Sequence, residues 1–380
     1  MSQIPVISSS VVEAENSESP ECTDLKGLLP EELVEFIEGM GQKPFRARQL
    51  QAWIYLRGVD DWEQMTDLSK HFREELRQVA QISQLQEVTR QESEAGEAVK
   101  FLFALPTGER IESVLIADGQ RRTACLSSQV GCPLDCQFCA TGKMGFIRNL
   151  SGAQIIDQLL QVGRFMRERG ERVTNVVMMG MGEPLLNYDA VVRAIRLMRL
   201  ELGPGIGGRK ITVSTAGYVP GIRKLTREQL NVKLAISLNG TTDDQRAQIM
   251  PINRKYPIAE LLDAAREFHA FGGRRVTFEY VLMAGITDAE EDALRLAELT
   301  RDVPCKLNLI PYNELELDSR YRRPSEAQLA RFRQLLEAHS PMAVTVRESR
   351  GRDIDAACGQ LHQRHEKKRR RDRDTESASS

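Results

Sequence analysis

The sequence predicts an α/β protein whose larger part is a partial TIM-like (β/α)6 barrel. After Arg122, short apolar strands alternate with amphipathic helical stretches in five or six β-α units. Successive parallel strands need crossover connections, and right-handed crossovers of this kind curl a sheet into a full or partial barrel. A doubly wound open sheet remains the alternative. In a barrel, the side chains that carry chemistry follow the C-terminal ends of the strands.

The strands and helices of this part are recognised by their apolar periodicity. The strands are expected at Val173–Gly180, Lys210–Thr215, Val232–Leu238, Val276–Leu282 and Lys306–Ile310, and the helices at Ile155–Met166, Ala190–Leu200 and Leu261–Phe268. Upstream, the apolar segments Val99–Phe103 and Ile111–Ile116 flank a Pro106–Gly108 turn. This pattern predicts a short antiparallel β lead-in to the barrel.

Composition divides the chain into four parts. Residues 1–24 are acidic and contain no Lys or Arg, which predicts a disordered leader. Residues 25–90 show helical spacing and are expected to form a small helical accessory domain, followed by the barrel core with its β lead-in over 91–361. Residues 362–380 form a basic tail that is expected to be disordered, as a solvated segment or as an RNA-contacting arm.

The helical domain contains a segment suited to RNA. Lys43, Arg46 and Arg48 lie beside Phe45 and close to Trp53 in the sequence. Cations interleaved with aromatic rings favour phosphate contact combined with base stacking. Amphipathic packing alone is the more common explanation for such aromatic residues. We nevertheless expect this domain to contribute to RNA binding.

Overall charge excludes a long-range field that would attract nucleic acid. Lys and Arg total 52, Asp and Glu total 54, and the net charge is -2. Any polyanion must therefore meet a local basic patch. The apolar runs are far shorter than the roughly 20 residues of a membrane span, and the N-terminus lacks the pattern of a secretion signal. We expect a cytoplasmic protein without membrane association.

Cysteine placement points to a metal centre. Seven cysteines are present, and four lie between residues 125 and 139. Without a secretion signal, clustered thiols indicate metal binding or catalysis before structural disulfides. Cys132, Cys136 and Cys139 have the spacing C-x3-C-x2-C, and three thiolates leave one iron of a 4Fe-4S cluster open to a non-protein ligand. A structural zinc site that recruits Cys125 is the alternative.

This motif resembles the signature of the radical SAM superfamily, including Phe138 before the third cysteine. The resemblance implies a 4Fe-4S cluster held by Cys132, Cys136 and Cys139. It further implies that S-adenosylmethionine (SAM) chelates the open iron through its amino and carboxylate groups. One electron from the cluster then cleaves SAM to a 5'-deoxyadenosyl radical.

The segment Met179–Pro184 is expected to contribute to the SAM pocket. It lacks the third glycine of a dinucleotide-binding loop, and Pro184 interrupts it. Gly182 can let the backbone approach a ligand, and Glu183 can accept a hydrogen bond from the methionyl ammonium. Residues at the ends of later strands are expected to continue the pocket: Ser214, Ser237, Leu238, Asn239 and Asn313. Taken alone, each of them is more often a cap or turn residue.

Longer segments resemble the RlmN family of adenine-C2 methyltransferases, which act on 23S rRNA in the peptidyl-transferase region and on tRNA 3' to the anticodon. The matching segments are Cys125–Cys132, Met178–Leu185, Met250–Asn253, Leu309–Asn313 and Gly351–Leu361, together with Lys43–Arg46 in the helical domain. The resemblance runs from about Leu25 to Leu361. Asn239 departs from the histidine found there in many members. The Cfr methyltransferases, which modify C8 of the same adenine, are the nearest alternative.

The reaction that this resemblance implies needs a protein thiol. C2 of adenine is electron-poor and cannot attack the electrophilic methyl group of SAM, whereas a thiolate can. Cys358 is the expected methyl carrier: its S-methyl group would lose a hydrogen atom to the radical, and the carbon would add to C2. Two SAM molecules are consumed in each cycle, one as methyl donor and one as radical source.

Release of the product is expected to require two further residues. Cys125 corresponds to the family's resolving cysteine, which would form a disulfide with Cys358. Glu112 matches the family's proposed proton acceptor, although an exposed strand glutamate is the ordinary interpretation. Cys22 and Cys305 are interpreted as small apolar residues without a chemical role.

The implied partners follow from this scheme. Beyond 23S rRNA and tRNA, the cluster needs an electron donor such as flavodoxin, and the disulfide needs a thiol reductant. Recognition of a flipped adenine needs phosphate and stacking contacts from the helical domain and the barrel. No obligate oligomer is implied.

Overall fold

The computed structural model describes residues 22–272, 274–315 and 319–361. The remaining residues include most of the predicted acidic leader and all of the predicted basic tail, so those two predictions lie outside the described residues. No helix among the described residues is long and apolar enough to cross a membrane.

Three helices dominate the N-terminal part of the chain. The second of these, helix α2 (Phe45–Gln51), continues directly into a π-helical turn at Ala52–Arg57. Thr23 and Asp24, predicted within the disordered leader, instead form a strand parallel to Ala80–Gln81, and the Asp24 carboxylate accepts hydrogen bonds from the Lys26 and Ser83 amides. Composition does not reveal such pairing with a distant segment. The elements are β1 Thr23–Asp24, α1 Pro30–Gly39, α2 Phe45–Gln51, α3 Lys70–Val79 and β2 Ala80–Gln81.

An antiparallel four-stranded unit follows, as the sequence predicts, and forms one end of the main sheet. Its first strand, β3 (Gln86–Glu92), lies largely within residues 25–90, the segment that is predicted to be helical. That strand reads Gln-Glu-Val-Thr-Arg-Gln-Glu and is mostly exposed at the sheet edge, so it has little apolar alternation to reveal it. The strands are β3 Gln86–Glu92, β4 Ala98–Ala104, β5 Arg110–Asp118 and β6 Arg121–Cys125.

A small hairpin and a short helix interrupt the sheet before its parallel part. Strand β7 (Gln129–Gly131) pairs with β8 (Phe146–Asn149) in antiparallel orientation, and helix α4 (Ala140–Lys143) lies between them in the sequence. The three clustered cysteines precede α4 in this excursion. The hairpin thus closes the loop that carries the predicted metal ligands.

The parallel part of the sheet agrees with the predicted partial (β/α) barrel. Beginning with β6, neighbouring strands pair in parallel in the order β6-β9-β10-β11-β12-β13-β14. In the described residues, β14 and β3 are the two edges of this ten-stranded sheet, so the barrel is partial. The remaining strands are β9 Asn175–Met178, β10 Ile211–Thr215, β11 Lys233–Ser237, β12 Val276–Leu282, β13 Cys305–Pro311 and β14 Ala343–Val346.

Helices alternate with the parallel strands. They are α5 Gly152–Glu168, α6 Tyr188–Met198, α7 Val219–Arg227, α8 Asp243–Ile249, α9 Ile258–Gly272, α10 Glu290–Thr300 and α11 Glu326–His339. Three pairs of helices pack against each other, α5 with α6, α7 with α9 and α10 with α11. Their apolar faces bury Leu, Ile, Val, Ala and Phe side chains, which explains why the sequence shows helical periodicity for three of them.

A buried ion pair joins the N-terminal part to the barrel. The Lys26 ammonium lies 2.7 Å from Oδ1 of Asp157 on α5, and both side chains are 3% exposed. The second Asp157 oxygen accepts a hydrogen bond from the Leu85 amide at 2.7 Å. Both ends of the ion pair therefore have partners inside the protein.

Replacing Lys26→Met is expected to lower the free energy of unfolding by about 3 kcal/mol, because it leaves the buried Asp157 carboxylate without its cation. Urea titration followed by circular dichroism measures this. The matched control is Arg301→Met, which breaks an exposed ion pair with Glu298 and should cost at most about 1 kcal/mol. Equal losses in the two variants would contradict the expectation.

Candidate active site

One cavity lies at the C-terminal ends of the parallel strands, where a barrel places its chemistry. Its empty volume is about 950 Å³, part of it open to solvent. That size suits a cofactor-sized ligand. Ten residues predicted from the sequence to serve the cluster, SAM or methyl transfer line it: Cys132, Cys136, Cys139, Gly182, Glu183, Ser214, Ser237, Asn239, Asn313 and Cys358.

Backbone hydrogen bonds hold the cysteine loop in place. The Cys132 amide donates to the Gly145 carbonyl at 2.9 Å, and the Gln137 amide donates to the Ile249 carbonyl at 2.9 Å. The Ala140 amide donates to the Gly359 carbonyl at 2.7 Å. Residue 131 must be glycine, because a Cβ there would lie 1.9 Å from the Gly145 oxygen. The loop is thus fixed by three segments that are distant in the sequence.

The three thiols fit the iron-sulfur cluster that the superfamily implies. Burial raises the pKa of Cys132 to about 12 and also raises the pKa values of Cys136 and Cys139. Such thiols need a bound cation to become thiolates, which iron supplies. Within residues 22–272, 274–315 and 319–361, no three His, Cys, Asp or Glu side chains converge on a position for a single metal ion.

Glu183 is a buried carboxylate in the wall of the cavity. It is 3% exposed and accepts hydrogen bonds from the Leu185 amide at 3.1 Å and the Ala216 amide at 2.7 Å. Burial raises its pKa to about 7 despite these donors. Among the described residues, the Glu183 oxygens form no ion pair and accept from backbone amides, so a ligand ammonium would find an acceptor there.

Gly182 lines the cavity and is also needed for the packing of its own loop. Its φ is +96°, and a Cβ would lie 2.5 Å from the Cβ of Gln129. Glycine therefore lets the loop approach strand β7, and its predicted contact with a ligand stays a prediction. Gln129 completes the contact by accepting a hydrogen bond from the Glu183 amide at 2.8 Å.

The polar side chains at the ends of the later strands differ in whether protein partners already occupy their hydrogen-bonding atoms. Asn313 donates to the Cys358 carbonyl at 3.2 Å, while its buried Oδ1 has no hydrogen-bond partner among the residues that the structure describes. That oxygen fits a ligand that donates a hydrogen bond. The Asn239 side chain is occupied, since it accepts from the Val281 amide at 2.9 Å and contacts the Met250 sulfur. Ser214 and Ser237 line the cavity.

Leu238, predicted among the cofactor-binding residues, is not among the residues that line the cavity, although its neighbours Ser237 and Asn239 are. Its side chain is fully buried in the apolar core. Its amide donates to the Glu279 carbonyl at 2.9 Å, and its carbonyl accepts from the Arg246 guanidinium at 2.7 Å. Leu238 thus acts on the site through its backbone.

Two of the four cysteines outside the cluster motif, Cys125 and Cys358, interact electrostatically. Cys358 lines the cavity, whereas Cys125 is buried at the end of β6. Burial and, to a smaller extent, the negative form of Cys358 together raise the pKa of Cys125 to about 12. Burial also raises the pKa of Cys358, while the charge of Arg347 opposes that change. Both thiols are free.

Glu112 is fully buried on β5, so the interpretation as an exposed strand residue is wrong. Its carboxylate lies 3.5 Å from the Lys100 ammonium, which also donates to the Asp355 carbonyl at 3.4 Å. Glu112 does not line the cavity. Lys100 therefore connects Glu112 to the segment that carries Cys358.

Sequence reasoning missed two arginines at this site. Arg347 follows β14 and lies 3.8 Å from Glu279, a cavity residue. The negative form of Cys358 is the largest cause that raises the pKa of Arg347. Strand β14 is short and has little alternation of apolar and polar residues, so the sequence gives no signal that singles out Arg347. Arg246 lies on the polar helix α8 and is nonetheless completely buried.

The fold and the cysteine-lined cavity define a radical SAM enzyme, and two family models agree with this class. The model described as "Radical SAM superfamily" matches residues 126–297, and "Ribosomal RNA large subunit methyltransferase N-terminal domain" matches residues 23–82. A crystal structure of a radical SAM methyltransferase from Sphaerobacter thermophilus superposes with a TM-score of 0.86 at 44% identity, covering 89% of this chain and 98% of that one. The superfamily implies a 4Fe-4S cluster and SAM.

Relatives narrow the class to one family. Proteins named "Dual-specificity RNA methyltransferase RlmN" from Anaeromyxobacter dehalogenans and Geobacter sulfurreducens are each 48% identical, over 343 and 339 residues. Each alignment covers 89% of this chain and 91% of the relative. The chain belongs to the RlmN family.

The stability of the cofactor-free protein should depend on pH through Glu183. Its pKa is raised from 4.5 in the unfolded chain to about 7 in the fold, so the folded protein binds more protons between these values. Stability therefore falls as pH rises from about 4.5 to 7, by up to about 3 kcal/mol.

The test compares the slope of unfolding free energy against pH in the parent protein and in Glu183→Gln, measured by urea titration. The variant should lose this part of the slope, whatever its absolute stability. Exposed Glu298→Gln serves as the control and should keep the slope. Identical slopes in the parent and Glu183→Gln proteins would contradict the raised pKa.

Proposed function

We propose that the protein is a radical SAM RNA methyltransferase that methylates C2 of adenosine in 23S rRNA and in tRNA. The observation that supports this most strongly is the presence of Cys358 in the same cavity as the three cluster-motif cysteines. A cavity that only generated a radical would not need a fourth thiol. The RlmN relatives, named as dual-specificity RNA methyltransferases, supply the substrate class.

Cys132, Cys136 and Cys139 are proposed to hold the cluster, and polar residues that line the same cavity are proposed to hold SAM. Glu183 would accept a hydrogen bond from the ammonium of SAM, which would also favour the ionised carboxylate. The unpaired Oδ1 of Asn313 would accept another hydrogen bond, and Ser214 and Ser237 would supply hydroxyls. When bound, the cluster and SAM supply a one-electron cleavage that yields a hydrogen-abstracting radical.

Cys358 is proposed to carry the methyl group. Its thiolate would displace the methyl group of a first SAM molecule, forming a thioether. The positive charge of Arg347 favours the thiolate form of Cys358. Loss of a hydrogen atom from the S-methyl group then leaves a carbon radical on the Cys358 side chain, which joins C2 of the adenine.

Cys125 and Glu112 are proposed to complete the reaction. After the adduct has given one electron to an acceptor such as the oxidised cluster and the C2 proton to a base, the Cys125 thiolate would attack the Cys358 sulfur. That attack forms a disulfide and breaks the sulfur–carbon bond, and the carbon takes a proton to become the methyl group. Glu112 is proposed as the acceptor of the C2 proton, and its pairing with Lys100 would place a relay toward the Cys358 segment.

RNA recognition is proposed to use the exposed cations of the N-terminal helices. Phe45 is 50% exposed, with the Arg46 guanidinium 4.9 Å from its ring centre, and Lys43 and Arg48 are exposed. Trp53, in contrast, is buried and covered by Arg57 at 3.7 Å. Phe45 is therefore the stacking candidate in this segment.

The scheme also requires reductants. A low-potential electron donor of the flavodoxin kind is proposed to reduce the cluster, and a thiol system to reopen the Cys125–Cys358 disulfide. Both are constituents of a reducing compartment, and the proposed location is accordingly the cytoplasm.

The reaction is tested by nucleoside mass spectrometry. RNA from cells lacking the protein is incubated anaerobically with the reconstituted enzyme, SAM and a reductant. Gain of 2-methyladenosine in 23S rRNA and tRNA is the expected result. Gain of 8-methyladenosine would move the protein to Cfr-like chemistry, and no gain with an intact cluster would reject the substrate.

The roles of the two extra thiols are separable. Cys358→Ala should lose methylation of both the protein and RNA, because no carrier remains. Cys125→Ala should accumulate a covalent enzyme–RNA adduct, which denaturing gels and intact-mass analysis detect. Buried Cys305 on β13 lies outside the cavity, and Cys305→Ala should behave as the parent protein does. Free turnover of Cys125→Ala would reject disulfide-assisted release.

A further inference from the structure

Arg246 is a completely buried arginine beneath the cavity. Its Nε donates to the Leu238 carbonyl at 2.7 Å, and its Nη2 donates to the carbonyls of Ala216 at 2.6 Å and Ser237 at 3.1 Å. Its Nη1 donates to Oδ1 of Asn253 at 2.9 Å. These four acceptors are neutral, so the guanidinium charge has no carboxylate bonded directly to it.

The acceptors of Arg246 belong to the floor of the proposed SAM pocket. Ala216 and Ser237 line the cavity, at the ends of β10 and β11. The peptide groups at Ala216 are held from both sides, because the Ala216 amide donates to Glu183 and its carbonyl accepts from Arg246. A single side chain thus fixes the ends of two neighbouring strands.

The surrounding backbone is built around this arginine. A Cβ at Gly240 would lie 2.8 Å from the Cβ of Arg246, and a Cβ at Gly217 would lie 3.0 Å from its Nη2. Gly217 also has a φ of +109°. Both segments approach Arg246 at distances that only glycine permits.

Arg246 also lies near the cysteine loop. It is on helix α8, whose last residue, Ile249, accepts the hydrogen bond from the Gln137 amide, next to Cys136. The negative form of Cys136 is the largest cause opposing the effect of burial on the pKa of Arg246, and Asp243 contributes in the same direction. Asp243 reaches Arg246 through Asn253, which donates to Oδ1 of Asp243 at 2.9 Å.

We infer that Arg246 is a positioning residue with two roles: its hydrogen bonds fix the strand ends that form the SAM pocket, and its buried charge stabilises the reduced cluster held by the neighbouring thiolates. A buried cation interacts strongly with added negative charge because water does not screen it. The inference rests on the proposed cluster ligands and SAM pocket, and it is independent of the RNA substrate.

The test uses the full-length protein, reconstituted anaerobically, with two readouts that do not require turnover. The reduction potential of the cluster is measured by optical redox titration, and SAM affinity by equilibrium binding. Arg246→Gln should shift the potential to more negative values and weaken SAM binding at least tenfold. Arg246→Lys keeps the charge and loses the hydrogen-bond network, so it should weaken SAM binding with a smaller shift in potential.

A second variant, for which the expected shift in reduction potential has the opposite sign, separates the effect of charge from the effect of altered structure. Asp243→Asn removes a negative charge next to Arg246 with little change in shape, and it should shift the potential to more positive values. Arg254→Gln is the matched control, because it removes an exposed charge a few residues along the chain and should change neither readout. This variant pair also carries the test if Arg246→Gln fails to fold.

An unchanged potential in Asp243→Asn, or the same shift in Arg246→Lys as in Arg246→Gln, would overturn the charge role. Unchanged SAM affinity in folded Arg246→Lys would overturn the hydrogen-bonding role. Failure of the proposed function is distinguishable, because a parent protein that bound no iron would reject the cluster ligands, and one that bound iron and SAM without methylating RNA would reject only the substrate.

Discussion

The site depends on how the cysteine loop is held, because the thiols themselves provide little that could fix them. Buried thiols make weak hydrogen bonds, and without a metal they are stable as neutral groups. Their positions come instead from backbone bonds to Gly145, Ile249 and Gly359. These residues belong to the hairpin, to the end of α8 and to the C-terminal segment. The geometry of the loop therefore depends on contacts with α8 and with the C-terminal segment, both distant in the sequence, as well as on its own hairpin.

The sequence predicts those parts of the structure that repeat or that concentrate rare residues. Apolar strands such as Val276–Leu282 are found at their observed bounds, because burial favours mostly apolar residues there. The cysteine spacing and Glu183 are recognisable for a similar reason: few residue types can do that chemistry. Strand β3 and strand β14 are edge strands with little apolar alternation, and neither is visible in advance.

The partners of charged side chains are the part of the site that sequence reasoning does not reach. Charged residues are exposed by default, yet Lys100 and Glu112 are buried in apolar strands and Arg246 is buried on a polar helix. Their partners come from other segments: Glu112 pairs with Lys100, and three strand-end carbonyls accept from Arg246. Half-buried Arg347 likewise lies beside Glu279. Only three-dimensional structure reveals such pairs. Likewise, Gly182 is conspicuous in the sequence, but its contact with Gln129 is seen only in the structure.

The same packing explains how one cavity can accommodate two proposed stages of chemistry without domain motion. The hydrogen bond from Ala140 to Gly359 joins the residue after Cys139 to the residue after Cys358. Asn313 holds the Cys358 carbonyl from the end of β13. A displacement of either cysteine segment would therefore be transmitted to the other through a single backbone bond. The proposed methyl carrier is thus kept in register with the proposed cluster ligands by the fold itself, and the remaining adjustment needed for disulfide formation falls on the side chains of Cys358 and Cys125.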